Sequence, residues 1–181
     1  MFSSPSPPRN SLTDSASIEK WSANIFNALG YFATVGLLNV HCLLGDYHSA
    51  LQALKPIDAV LASKKALFSN VLACIVNTYY YMGFSYMMTR RYADATNTFA
   101  YILGYINRTK GLTDTWMDLG KTSDYCAALL TICLSLCPSK AEEYAHHLVY
   151  DNQDKLGRMQ RGDEAVYAEL FSFACPKFVS A

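Results

Sequence analysis

Apolar residues begin to recur at helical spacing near residue 17, where Ile18, Trp21, Ile25, Phe26 and Leu29 fall on one face. Gly30 is placed to interrupt that helix. A second apolar run over 31–44 closes at Gly45, a residue that tolerates the left-handed backbone of a helix end. A short return helix is predicted over 47–54, stopped by Pro56. The next pair is predicted over 70–89 and 91–108. Its first helix carries Val71, Cys74, Ile75, Thr78, Met82, Ser85 and Tyr86 at spacings of three and four, and its return helix carries Ala95, Phe99, Ile102 and Ile106. A third apolar helix over 123–137 ends before Pro138, and a shorter one follows over 140–149. Two polar segments remain, 151–160 and 163–173, the second opened by Asp163 as an N-cap. No stretch alternates with period two, so the pattern predicts an all-α fold.

The first two pairs are one unit written twice. Tyr47, Ala50 and Leu54 fall on Tyr92, Ala95 and Phe99, and Leu37, Leu38 and His41 fall on Met82, Gly83 and Tyr86, all with a shift of 45 residues (95 − 50). Tetratricopeptide units carry a related pattern of small and aromatic positions, with a period of roughly 34 residues. The longer spacing predicts an irregular tetratricopeptide-like repeat, a right-handed stack of antiparallel helix pairs with extra residues near 61–69. Where two helices cross closely, larger side chains push the axes beyond roughly 8–10 Å. Ala50, Gly83 and Ala95 are therefore the candidates for the crossings. Residues 1–14, rich in Pro and Ser, hold too few apolar groups to offset their ordering entropy and read as a disordered tail, leaving 15–181 as a single helical-repeat domain.

Composition adds one expectation. With 51% hydrophobic and only 17% charged residues, the chain holds more apolar surface than its own core requires, which points to a face covered by a partner or by other parts of a longer polypeptide. The formal net charge is zero. Neither the modest basic excess of 61–120 nor the acidic excess of 121–181 announces nucleic acid or a membrane surface. The six cysteines lie mostly in apolar helical stretches, and residues 1–17 lack the apolar core of a signal peptide, so buried free thiols in a reducing compartment are expected. No apolar run reads as a membrane span; the longest, 29–44, contains Asn39 and His41.

Three blocks carry a closer likeness. They are Gly36-Leu37-Leu38 through Leu43-Leu44-Gly45-Asp46-Tyr47, then Thr78-Tyr79-Tyr80-Tyr81-Met82-Gly83-Phe84 through Arg90-Arg91-Tyr92, and finally Arg158-Met159-Gln160-Arg161-Gly162-Asp163 with Cys175-Pro176-Lys177-Phe178. Over roughly 29–178 the chain resembles the middle region of the subunit L family of eukaryotic translation initiation factor 3. The third block is not a repeat signature, and it separates this likeness from a generic helical repeat. The resemblance implies a non-catalytic cytoplasmic scaffold without cofactors. Its implied partners are the other subunits of initiation factor 3 and, through the complex, the small ribosomal subunit. It also implies that 1–181 is a fragment lacking the family's winged-helix module. The alternative is a helical-repeat adaptor of a proteasome-lid or signalosome-type complex.

Two candidate surfaces follow. Tyr79, Tyr80, Tyr81, Phe84 and Tyr86 place five rings in eight positions, more than one helix face accommodates, and read either as packing between repeats or as a partner groove built on Tyr79, Tyr80, Tyr81 and Phe84. Arg90 and Arg91, with Arg108 and Lys110 one helix later, read either as a basic edge for RNA phosphate or as solvated cations near helix ends. Catalytic patterns are poor. His146 and His147 are adjacent and diverge on a helix, and Cys133 and Cys137, although four apart, have no further metal ligands close in sequence. Neither a P-loop nor a dinucleotide fingerprint is present.

Overall fold

Helix ends are set here by one recurring device. Gly45, Arg90 and Gly162 adopt left-handed backbone, with φ of 80°, 61° and 90°. At each, the following N–H reaches back to the carbonyl five residues earlier, as in Asp46 to His41 at 2.9 Å, Arg91 to Tyr86 at 2.9 Å and Asp163 to Arg158 at 3.2 Å. These are Schellman closures, which satisfy carbonyls that a helix end leaves without partners.

The structure, a computed structural model, describes residues 11–62, 72–109, 116–137 and 147–177. Among these residues seven α-helices and one 3-10 turn are present and no strand: α1 (Ser11–Leu43), α2 (Tyr47–Ala62), α3 (Leu72–Met88), α4 (Tyr92–Thr109), α5 (Trp116–Leu136), the 3-10 turn (His147–Asn152), α6 (Gln153–Gln160) and α7 (Glu164–Ala174). The all-α repeat expected from periodicity is what the chain forms.

Several boundaries differ from the expectation. The first helix runs unbroken through Gly30, because one glycine lowers helix propensity by only about 1 kcal/mol and the apolar periodicity on both sides is in phase. It also begins at Ser11, inside the segment read as a tail. Likewise α2 continues past Pro56 to Ala62, so the loss of one N–H does not end it. The helix expected over 140–149 lies mostly outside the described residues, and its end is the 3-10 turn, kinked at Val149. Residues 1–10 and 63–71 also lie outside them.

The pairs α1/α2 and α3/α4 are antiparallel neighbours, and the first helices of successive units, α1, α3 and α5, lie side by side. The C-terminal helices close the far end: α7, read as polar but mostly apolar in sequence, buries Val166, Leu170 and Ala174, and α5, α6 and α7 pack together. Two apolar clusters result. A small one joins Tyr31, Val35 and Leu38 of α1 to Ala50 and Leu54 of α2. A larger one spans α3, α4, α5 and the C-terminal helices and reaches back to Cys42.

The two copies of the turn differ in chemistry. In the first, Asp46 caps α2 by accepting the Ser49 N–H at 3.1 Å, and the Ser49 hydroxyl, followed by that N–H, holds its carboxyl below the usual range. In the second, Arg91 takes the cap position and pairs instead with Asp94 at 2.7 Å. The residue before it, Arg90, occupies the left-handed position that Gly45 fills in the first copy. A side chain there is strained by roughly 1 kcal/mol. Arg90→Gly is therefore expected to raise stability by about 0.5–1 kcal/mol, read as a higher urea midpoint at unchanged slope.

Candidate interaction surface

The triple tyrosine works as a hub between helices. Tyr80 and Phe84 are buried, Tyr79 and Tyr81 half-buried. Tyr80 crosses Tyr81 edge-on at 5.1 Å between centroids and lies 6.3 Å from Tyr125 of α5. Tyr79 lies 5.0 Å from Tyr101 of α4. Phe84 meets Tyr47 of α2 edge-on at 5.8 Å and Phe171 of α7 at 5.9 Å. One helix thus touches rings from four others, the geometry in which offset and edge-on aromatic pairs add about 0.5–1.5 kcal/mol each beyond burial. Of the candidate groove residues, only parts of Tyr79 and Tyr81 face outward.

The Tyr80 hydroxyl donates to the Ala174 carbonyl at 2.6 Å inside the core, tying α3 to the end of α7. Burial, then the neighbouring Tyr81 phenol, pushes its pKa well above the ordinary value, so it stays a neutral donor. Tyr80→Phe keeps the ring and orphans the carbonyl. A loss of about 1–3 kcal/mol is expected in urea unfolding.

Gly83 lies where α3 crosses α4. A Cβ built there would sit 2.6 Å from Cε1 and 2.7 Å from Cζ of Phe99, whose ring is fully buried. Ala50 and Ala95 are also fully buried on the return helices. The partner ring, Phe99, is missing from the candidate positions. Its signal was present in the repeat, since Leu38 and Leu54, both buried in one cluster of the first unit, become Gly83 and Phe99 in the second. A large-large pair has become a small-large pair, with the Phe99 ring seated over the glycine.

The basic positions do not form one edge among the described residues. Arg90 and Arg91 precede α4 and Arg108 lies in its last turn, about 25 Å away at 1.5 Å per residue. Arg91, besides pairing with Asp94, lies over the Tyr86 ring at 4.6 Å. Lys110 lies outside the described residues.

The thiols are placed for packing. Cys42, Cys126 and Cys133 are buried, and all six cysteines are free. Burial pushes Cys42 up to about 11 and Cys133 up to about 12, while the Ser85 hydroxyl, 3.7 Å from the Cys42 sulfur, partly offsets the first. Among the described residues no three His, Cys, Asp or Glu side chains are grouped to hold a metal. An open cleft of about 410 Å³ lies between α5, the 3-10 turn and α7, lined by Asp124, Ala128, Val149, Lys155, Glu169 and Phe173, with Lys155 and Glu169 paired at 2.9 Å.

Among the described residues, α1 carries a long outward apolar face that includes Ile25, Phe26 and Leu29, the residues whose periodicity placed them on one face of the first helix. Its side opposite α3 exposes Ile25, Phe26, Leu29, Phe32, Leu37 and Val40. By length and composition, Ile25–Leu43 is also the one described segment apolar enough to cross a membrane. Yet Tyr31, Val35 and Leu38 of the same segment are buried in the cluster formed with α2, which a spanning helix would have to leave.

A model of the family described as RNA polymerase I-associated factor PAF67 matches residues 8–181. Among curated proteins, the chain is 46% identical over 162 residues to eukaryotic translation initiation factor 3 subunit L of Gallus gallus and 45% identical over 162 residues to that of Homo sapiens, covering 87% of this chain and 28% of each relative. It is 44% identical over 166 residues to the subunit L of Coccidioides immitis (strain RS), covering 88% of this chain and 34% of that relative. The chain therefore spans about a third or less of the length of these relatives.

Proposed function

The chain belongs to the PAF67 family, its curated relatives at 44–46% identity are named eukaryotic translation initiation factor 3 subunit L, and from this we propose that it forms a helical-repeat part of that initiation factor. The observation that carries this reading is 46% identity over 87% of the chain, beside a family-model match over residues 8–181 that runs through the unrepeated C-terminal block as well as the repeats. Its role is that of a non-catalytic cytoplasmic scaffold that presents stacked helices to sister subunits, and through them to the small ribosomal subunit. The physical chemistry agrees with that role. Burial raises the pKa of interior thiols and phenols, which leaves them as packing groups, and the aromatic hub ties α3 to four other helices.

The family description favours a second reading, association with RNA polymerase I. Tagged chain expressed in eukaryotic cells separates the two. Recovery of sister initiation-factor subunits, with co-sedimentation alongside small ribosomal subunits on a sucrose gradient, is the expected result. Recovery of polymerase subunits, or of proteasome-lid or signalosome subunits in their place, would overturn it.

A further inference from the structure

The open face of α1 is the counterpart of a face that is already occupied one repeat further on. On α3, the residues turned toward the first unit are Cys74 and Thr78, which lie against Tyr31, then Tyr81 and Met82, which pack on the first cluster, and Ser85, which meets Cys42. Moved back by the repeat shift of 45 residues, those five positions become Leu29, Ala33, Gly36, Leu37 and Val40. All five are exposed, Leu29 by 59%, Leu37 by 49% and Val40 by 53%, and Phe26 at 72% extends the same surface. The opposite side of α1 obeys the same shift. Tyr31, Val35, Leu38 and Cys42 become Val76, Tyr80, Gly83 and Met87, and all eight are buried.

Two further observations say what covers the open face. No Asp, Glu, Lys or Arg occurs between Lys20 and Asp46, so the surface offers a partner no charge to pair. Gly36 has no atom within 4 Å of where a Cβ would stand, whereas the helical glycine Gly83 receives a phenylalanine ring. An exposed glycine inside a helix lowers stability by about 1 kcal/mol relative to alanine, and close approach of a neighbouring helix is what such a notch permits. The end of a helical stack needs a polar outer face unless another unit lies on it, and this end is apolar.

We propose that Leu29, Ala33, Gly36, Leu37 and Val40 seat one more α-helix, uncharged on its contacting side, lying on α1 as α1 lies on α3 and drawn, in a polypeptide as long as the relatives, from sequence outside these 181 residues. The length of the relatives, of which this chain spans 28%, leaves ample sequence to supply it. The proposal does not depend on which complex the polypeptide joins.

The test uses the purified full-length human relative, outside any complex, with benzoylphenylalanine at the position aligned with Leu37. Irradiation and peptide mass spectrometry are expected to find an intramolecular link to an uncharged apolar helical peptide outside the aligned 162 residues. A link to a second copy, seen as a covalent dimer, or links confined to the aligned segment would overturn the proposal. So would protection from cross-linking by phosphatidylcholine and phosphatidylserine vesicles. A second measurement guards against misfolding of the labelled protein. Leu37→Glu with Val40→Glu is expected to leave the melting temperature of this chain nearly unchanged, and to lower that of the full-length relative by about 5 °C or more when placed at the aligned positions. Equal shifts in the two would also overturn the proposal.

Discussion

Gly83→Leu is expected to unfold the chain at markedly lower urea, with a loss of about 1–3 kcal/mol or more from overpacking. Even alanine is too large, because its Cβ would stand 2.6 Å from the Phe99 ring, inside van der Waals contact. Gly83 is itself buried within α3, and the ring it faces is fully buried on α4, so neither side retreats into solvent. The control is Gly36→Ala in the same chain. That site is helical, exposed and open around the added methyl, so the ordinary propensity gain of about 1 kcal/mol should appear as stabilisation. Opposite signs for one substitution at two helical glycines isolate packing from propensity. Phe99→Leu in the Gly83→Ala background should recover part of the loss, and a double-mutant cycle with no coupling between the two positions would refute the contact.

Alkaline pH is expected to destabilise the chain well before its lysines titrate fully. Burial raises Cys42 to about 11 and Cys133 to about 12, and burial followed by the Cys74 thiol raises Tyr31 to about 12. Cys126 is raised too, by burial alone. Each of these groups holds its proton more tightly when folded than when unfolded. Their contribution is complete below the unfolded thiol value near 8.5–9 and is lost as pH climbs through the folded values. At about 1.4 kcal/mol per pKa unit, the thiols together remove several kcal/mol between roughly pH 9 and 12. Urea midpoints measured across that range should fall with rising pH, and Cys133→Ala should flatten the slope. A midpoint constant to pH 11 would show that these thiols reach water in the folded chain.

The repeat was legible because the same spacing recurs 45 residues on and because no segment alternates with period two. Small residues at 50, 83 and 95 were equally visible, but which ring fills the notch at Gly83 depends on comparing Leu38 with Gly83 and Leu54 with Phe99 as a pair. Local signals failed where context outweighs them. Gly30 and Pro56 read as interruptions, yet α1 and α2 run through them at a cost of about 1 kcal/mol for the glycine and about 3 kcal/mol for the proline. Arg90 is not a residue type that marks a φ of 61°, and the only sign of it is the repeat shift that sets Arg90 on Gly45, where the closure from Arg91 to Tyr86 requires it. The segment 151–160 looks polar as a string, and only packing on α5 shows that Leu156 and Met159 are buried; 163–173, read with it as polar, is in fact mostly apolar and buries Val166 and Leu170. The openness of the α1 face was hidden for the opposite reason. Leu29 and Leu37 carry the same apolar signal as Leu38, and a periodic pattern does not say which of two apolar faces has a neighbour.

The division of the interior into two clusters bears on how the molecule comes apart. The larger one is bound together by rings from α3, α4, α5 and α7 and a buried hydrogen bond, whereas the smaller one forms its own cluster between α1 and α2 and meets the rest through Cys74, Thr78, Tyr81, Met82 and Ser85 of α3 and through Tyr47 on Phe84. Linear arrays of this kind melt unit by unit, like a row of coupled spins, when one junction is weaker than the others. Amide exchange should therefore show the α1/α2 hairpin opening as its own cooperative unit, with a smaller free energy than α3, α4 and α5 share.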